Sequence, residues 1–169
     1  MSEALEIAKR LARKFEGFRS RPYYCSAGIV TIGFGTTRYP DGRTVKPTDP
    51  PASIEQGERY LAHEMGKCLA GTMRYCPALL TENDGKAAAI ADYCYNLGIG
   101  RLQCSTLRRR INQRNWPEVI KELNKWVYGG GRKLQGLVLR RAAEARYFTD
   151  HLSNPLIFLP LEYLKKEGE

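Results

Sequence analysis

Long apolar stretches are missing from this 169-residue sequence: no run approaches the roughly 18 consecutive apolar residues that a membrane-spanning helix needs. Histidine is scarce. With only His63 and His151, a multi-histidine metal site is not expected, and each is read as a helix-surface or packed side chain. The five cysteines (Cys25, Cys68, Cys76, Cys94, Cys104) form an odd set without a Cys-x-x-Cys pair, which argues against a metal cluster or a thioredoxin-like motif and suits a reducing compartment. Internal repeats and low-complexity tracts are absent as well. The opening residues, MSEALEIAKRLARKFEG, carry charges where an export signal would have its apolar core, so the chain is expected to stay in the cytoplasm until something else lets it out. What remains is a chain with 43% hydrophobic and 27% charged residues and a mean hydropathy of −0.46, suited to one domain with a real core.

Charge is unevenly placed. Eleven Lys/Arg and two acids (Glu118, Glu122) fall between Arg101 and Arg141, so the whole net charge of +9 belongs to that stretch. Such a surplus fits an anionic partner, and equally a set of solvated helix faces. There is no recognition-helix, zinc or RNA-binding motif and no aromatic–basic interleaving to support nucleic acid as that partner.

Along the chain, Ala4, Ala8, Leu11 and Phe15 recur at helical spacing, with Ser2 placed to cap, Glu3 in the first turn and Gly17 to stop the helix near Glu16. From Pro22 to Thr37 the period falls to two: Val30, Ile32 and Phe34 share one face and Thr31 the other, with Ala27-Gly28 as the turn of a small hairpin. Residues 38–52 read as turns and loop. Ser53 with Gln56 opens a helix to about Thr72, Thr81 with Asp84 one over Gly85–Leu97, and Ser105 or Thr106 a short basic helix to about Gln113. Asn115 precedes a helix over Pro117–Tyr128, Gly129-Gly130-Gly131 breaks it, and a last helix spans Leu137 to His151 before an extended, docked tail from 153 to 169. The fold class is α+β, with a small β-containing portion and a mostly helical body.

Glu16 is the first candidate for chemistry. A carboxylate in the last turn of a helix faces the negative end of the dipole, and Phe15 and Phe18 flank it, both of which favour the neutral acid that a proton donor requires. An exposed glutamate at a helix end is the plain alternative.

Glu16-Gly17-Phe18, Tyr23, Cys25, Gly28 and the run Thr31-Ile32-Gly33-Phe34-Gly35-Thr36-Thr37 together resemble the active-site segment of the phage-type lysozymes, glycoside hydrolase family 24. Glu16, Cys25 and Thr31 fall at the family's spacing, with eight and then five residues between them. A second block, Ala91-Asp92-Tyr93-Cys94-Tyr95-Asn96-Leu97-Gly98, then Ser105-Thr106-Leu107 and Trp126 to Arg141, resembles the same family, so that the likeness covers about 3–150. It implies a lysozyme-like fold over 1–169, with the active-site cleft between a β-containing lobe (17–52) and a helical lobe (3–16 with 53–152). It also implies hydrolysis of the β-1,4 bond between N-acetylmuramic acid and N-acetylglucosamine in peptidoglycan, by a monomer without cofactor or metal. Glu16 would protonate the leaving oxygen and Thr31 would help hold the attacking water.

Cys25 departs from the pattern, which has Asp there. A thiolate could orient water or attack the anomeric carbon, and Arg19 and Arg21 could lower its pKa; a neutral thiol does neither well. Three readings stay open: Cys25 replaces the Asp, another carboxylate such as Asp41 takes over, or the chain is a weakened, wall-binding relative. The resemblance also implies substrate contacts by Asn96, Gly98, Ser105, Thr106 and Arg140, the last next to Glu16, where an ion pair would favour the anion. Asn96 and Gly98 equally fit a plain helix end, and Trp126 and Tyr128 fit core or sugar platform. The family's members of this kind imply an endolysin that waits in the host cytoplasm, reaches the wall once the membrane is permeabilised, and is held on the anionic envelope by the Arg101–Arg141 stretch. A basic nucleic-acid-binding protein is the reading from another class.

Overall fold

Glycines and capping side chains cut the chain into seven helices and two short hairpins in the computed structural model, which describes residues 2–25 and 27–149. Helix α1 (Glu3–Glu16) buries Ala4, Ile7, Ala8, Leu11 and Ala12 and stops where Gly17 turns to φ +66° and its N–H bonds to the Arg13 carbonyl at 3.1 Å. Ser2 stands at the N-cap through its backbone alone: its carbonyl receives the Leu5 N–H, and its side chain makes no capping bond.

Strands β1 (Arg19–Tyr24) and β2 (Val30–Gly33) pair antiparallel, with Tyr23 opposite Thr31 and Tyr24 opposite Val30, closed by the turn that Ala27-Gly28 suggests. Val30 and Ile32 pack on a small cluster with Tyr39, Val45 and Ala52. Phe34 does not share that face as the alternation predicts. The strand ends at Gly33, and Phe34 crosses into the main core, its ring 5.2 Å from Phe18. No helix occurs between 38 and 52.

Helix α2 (Ile54–Tyr75) opens on the full Ser53/Gln56 capping box. A 3-10 turn (Pro77–Thr81) leads to α3 (Asp84–Leu97), capped by Asn83 rather than Thr81, because the Asn83 side chain is the one that reaches the Lys86 N–H. Nine of the fourteen α3 residues are buried, four of them alanine and one glycine, so α1, α2 and α7 approach it closely and the core forms around it. Gly98 ends α3 at φ +89°.

Helices α4 (Ile99–Gln103), α5 (Thr106–Asn112) and α6 (Trp116–Leu123) follow, then strands β3 (Tyr128–Gly129) and β4 (Arg132–Lys133), and α7 (Gln135–Thr149). The sequence reading lacks α4 and the second hairpin and runs α6 on to Tyr128. The chain in fact leaves the helix at Leu123, so that Val127 is buried and Tyr128 pairs with Lys133. The expected extension of α7 to His151 and the tail from 153 to 169 lie outside the described residues.

Candidate active site

Gly17 makes Glu16 the last residue of α1, and its side chain, 26% exposed, comes to rest at the seam between the first hairpin and the helical body. One carboxylate oxygen accepts from Arg140 Nη1 at 2.6 Å. The other faces the Gly33–Gly35 turn. A methyl group added to Gly35 (φ +97°) would stand 3.4 Å from Glu16 Oε2 and 3.6 Å from the Tyr95 hydroxyl, so glycine lets this turn close onto the acid. The Tyr95 hydroxyl donates to the Phe34 carbonyl at 2.7 Å and ties that turn to α3. Burial, reinforced by the nearby Glu16, raises the Tyr95 pKa, which keeps this donor protonated.

Behind Glu16 lies a buried ionic cluster. Arg140, 3% exposed, gives Nε and Nη2 to the two carboxylate oxygens of Asp92, at 2.9 and 2.8 Å, and Nη1 to Glu16. Burial alone would lower the Arg140 pKa, but Asp92 and Glu16 outweigh it and raise it. Arg141, with no exposed surface, donates through Nη2 to Glu144 at 2.5 Å and to Asn96 Oδ1 at 3.1 Å. Burial pulls the Arg141 pKa down, Glu144 opposing. Glu144 is pushed well up, first by burial and then by the charge of Asp92.

In the first hairpin, Cys25 stands at the turn and Thr31 lies in β2. The Cys25 thiol is lowered by hydrogen bonds from the Ile29 and Ala27 backbone and, with a smaller effect, from the Thr31 hydroxyl. The Arg19 guanidinium, read from sequence as a cause, lies instead over the Tyr23 ring, 4.4 Å from its centre. Thr31 is 3% exposed, and its hydroxyl also donates to the Ile29 carbonyl at 3.0 Å. Tyr23 stands opposite Thr31 in the ladder. Its pKa is raised mainly by burial, with the charges of both Glu16 and Cys25 adding to the effect.

The remaining candidates separate. Arg140 has no free donor nitrogen toward solvent; its partners are Asp92 and Glu16. Asn96 is half-buried with its oxygen on Arg141, and Gly98 forms the end of α3. Ser105 caps α5, accepting from Arg108 N at 3.0 Å and donating to the Leu102 carbonyl at 2.8 Å. Ser105 and Thr106 line an open cavity of about 610 Å³ with Arg101, Glu122, Lys125 and Trp126, and none of Glu16, Cys25 and Thr31 borders it. Trp126 packs edge-on against Tyr93 while Tyr128 is 65% exposed. The Asp41 carboxylate receives the Arg43 N–H at 2.9 Å, within its own turn.

Two residues of the site have no role in the sequence reading. Asp92 is an acid inside the otherwise apolar run Ala87–Cys94, and such a lone buried charge is a readable signal. Tyr95 offers none, since its partner is a carbonyl 61 residues away.

Residues 13–144, which include Glu16, Cys25, Thr31 and Arg140, match the family described as phage lysozyme. A SAR-endolysin of Escherichia phage 933W is 36% identical over 78% of this chain and 72% of its own length. An endolysin of Bacillus phage B103 is 31% identical over 82% of this chain, which spans about half of that relative's length. Among solved structures, the endolysin from Escherichia coli O157:H7 phage FAHEc1 superposes with a TM-score of 0.75 at 31% identity, covering 85% of this chain and 91% of that one. With a helical body, a two-stranded hairpin and a glutamate at their seam, the chain belongs to the phage lysozyme family of glycosidases.

Proposed function

We propose that this chain is an endolysin that cleaves the β-1,4 bond between N-acetylmuramic acid and N-acetylglucosamine of peptidoglycan, with Glu16 as the general acid. The observation that carries this is the setting of Glu16: held by Arg140 at 2.6 Å and approached by the Gly35 turn, which Tyr95 ties to α3. Glu16 gives its proton to the leaving glycosidic oxygen. Negative charge then develops on its carboxylate, where Arg140 Nη1 already points, and a preorganised donor stabilises it without rearrangement. On the opposite face of the sugar, Thr31 and Cys25, whose thiol the turn's hydrogen bonds hold below its ordinary value, orient the attacking water. The thiolate is also a competent nucleophile, so the stereochemistry of the released sugar decides between the two routes: inversion for water, retention for sulfur.

In this reading 17–52 and the helical remainder act as two lobes of one lysozyme-like domain, active as a monomer. Asn96, Gly98, Ser105 and Thr106 meet the sugar and its substituents along the helical side. The Arg101–Arg141 stretch retains the protein on the anionic envelope. No helix among the described residues is long and apolar enough to cross a membrane; we infer that the chain waits in the host cytoplasm and reaches the wall after the membrane is permeabilised. The test is turbidity loss of permeabilised Gram-negative cells, with analysis of the sugar at the new reducing end. Release of N-acetylmuramic acid ends is expected, and lysis without new reducing ends would overturn the proposal.

A further inference from the structure

We propose that Asp92 is a positioning residue for the proton donor, acting on Glu16 through Arg140. The inference rests on Glu16 being the acid.

A carboxylate without exposed surface inside an alanine-rich helix carries a large desolvation penalty that a buried ion pair often does not repay. An apolar residue would serve packing in α3 at least as well, so its stabilising effect does not account for Asp92. Its geometry does. The two Asp92 oxygens take Nε and Nη2 of Arg140 at 2.9 and 2.8 Å, an approach from two points that fixes the plane of the guanidinium. With that plane fixed, Nη1 has one direction left, and along it lies Glu16 Oε1 at 2.6 Å.

Other groups around Arg140 do not supply this alignment. Glu144, one turn along α7, is 3.8 Å from Nε and is engaged at 2.5 Å by Arg141. The Phe15 ring lies 5.6 Å from the guanidinium carbon and fixes no orientation about it. Tyr95 gives its hydroxyl to the Phe34 carbonyl. Glu16 is the last residue of α1, before Gly17, and among the described residues the one hydrogen bond its carboxylate receives from a side chain is this distant grip.

The test is steady-state kinetics on soluble peptidoglycan glycan fragments. Asp92→Asn keeps the shape but turns an acceptor into a donor facing a guanidinium nitrogen. Its kcat should fall roughly 10–100-fold with KM within about twofold, the cost of misplacing a reacting group by about an ångström. In an Arg140→Gln background, where the relay is already broken, Asp92→Asn should add nothing. An unchanged kcat in correctly folded Asp92→Asn, or a full second loss in the Arg140→Gln background, would overturn the proposal. Should Asp92→Asn fail to fold, Arg140→Lys answers instead. It keeps the charge without the two-pointed grip; a kcat loss with steady KM supports the relay and a wild-type kcat overturns it. Glu16→Gln runs alongside. If it remains active, the assignment of the acid has failed, whereas a dead Glu16→Gln beside a wild-type Asp92→Asn refutes the relay alone.

Discussion

Glu16 closes α1 and Cys25 sits at the turn of the first hairpin, and the two are held by different means. Glu16 depends on side chains far along the chain: Arg140 lies 124 residues away and is itself gripped by Asp92. Cys25 and Thr31 depend on backbone within six residues, the Ile29 and Ala27 amides and the Ile29 carbonyl. The acid is therefore a product of the packed helical core, while the thiol is a product of one tight turn. Damage to the core should reach the acid first, and damage to the turn should reach only the thiol.

The largest break in this comparison is Glu16→Gln, which removes the proposed proton donor and leaves its packing volume. Lytic activity should fall by about 10²–10⁴-fold or more, the usual weight of a general acid, with the thermal midpoint nearly unchanged. On the other side, Cys25→Ser keeps size but removes the ionisable sulfur, and a loss of about 10²-fold is expected, as for one preorganised group at a reacting centre. Equal rates for wild type and Cys25→Ser would show the sulfur to be incidental. The sign of the pH effect follows from the lowered thiol: it ionises as pH rises, so wild-type activity should climb with pH below the ordinary thiol value of 9.0. Cys25→Asp is already ionised above about pH 4–5, so the same limb should move into the acid range. A pH profile shared by Cys25→Asp and wild type would exclude the thiolate.

The same contrast governs what could be read before any coordinates. The turn side was legible because its parts are close in sequence: Gly17 as a stop, the Ala27-Gly28 turn, and the spacing from Glu16 through Cys25 to Thr31. The lowering of the thiol was anticipated with the wrong cause, since arginines are visible as letters and a turn's converging amides are not. On the core side, Arg140 was placed near Glu16 only through family likeness. The chain alone shows no reason for residue 140 to return to residue 16 until α3 and α7 are packed. Local misreadings have equally local causes: it is Asn83, two residues past Thr81, whose side chain accepts a first-turn N–H of α3, and a strand that ends at Gly33 rather than running on toward Thr37 sends Phe34 into the main core.

Tyr95→Phe sharpens the comparison at its midpoint, because this hydroxyl joins the turn above Glu16 to α3. The change leaves the Phe34 carbonyl without its partner while keeping the ring, so a stability loss of about 1–3 kcal/mol is expected. That corresponds to a drop of the thermal midpoint by a few degrees per kcal/mol. Activity should fall only severalfold, through a looser fit of the Gly35 turn on Glu16. A Tyr95→Phe protein as stable as wild type would remove this bond from the account of the seam.

The smallest effect is expected where neither side is touched. The basic surplus does not present itself evenly: Lys121 on α6 pairs with Glu118, and Lys125 just beyond it pairs with Glu122, each at 2.6 Å. On α5, Arg108 reaches back to the Gln103 carbonyl at 2.7 Å, while Arg109 is exposed and no ion pair among the described residues ends on it. Arg109, like Arg132 and Lys133, is thus an exposed cation of the stretch without an ion pair among the described residues, and in the proposed reading its charge would act through space on encounter with the envelope. Arg109→Gln should slow cell lysis less than tenfold at low salt, and the difference should shrink as ionic strength rises and the screening length falls to about 8 Å at 0.15 M. On short soluble glycans, which offer no extended anionic surface, its kcat should equal that of wild type. A salt-independent deficit would assign Arg109 to the packing of α5 and return the basic stretch to an ordinary solvated helix face.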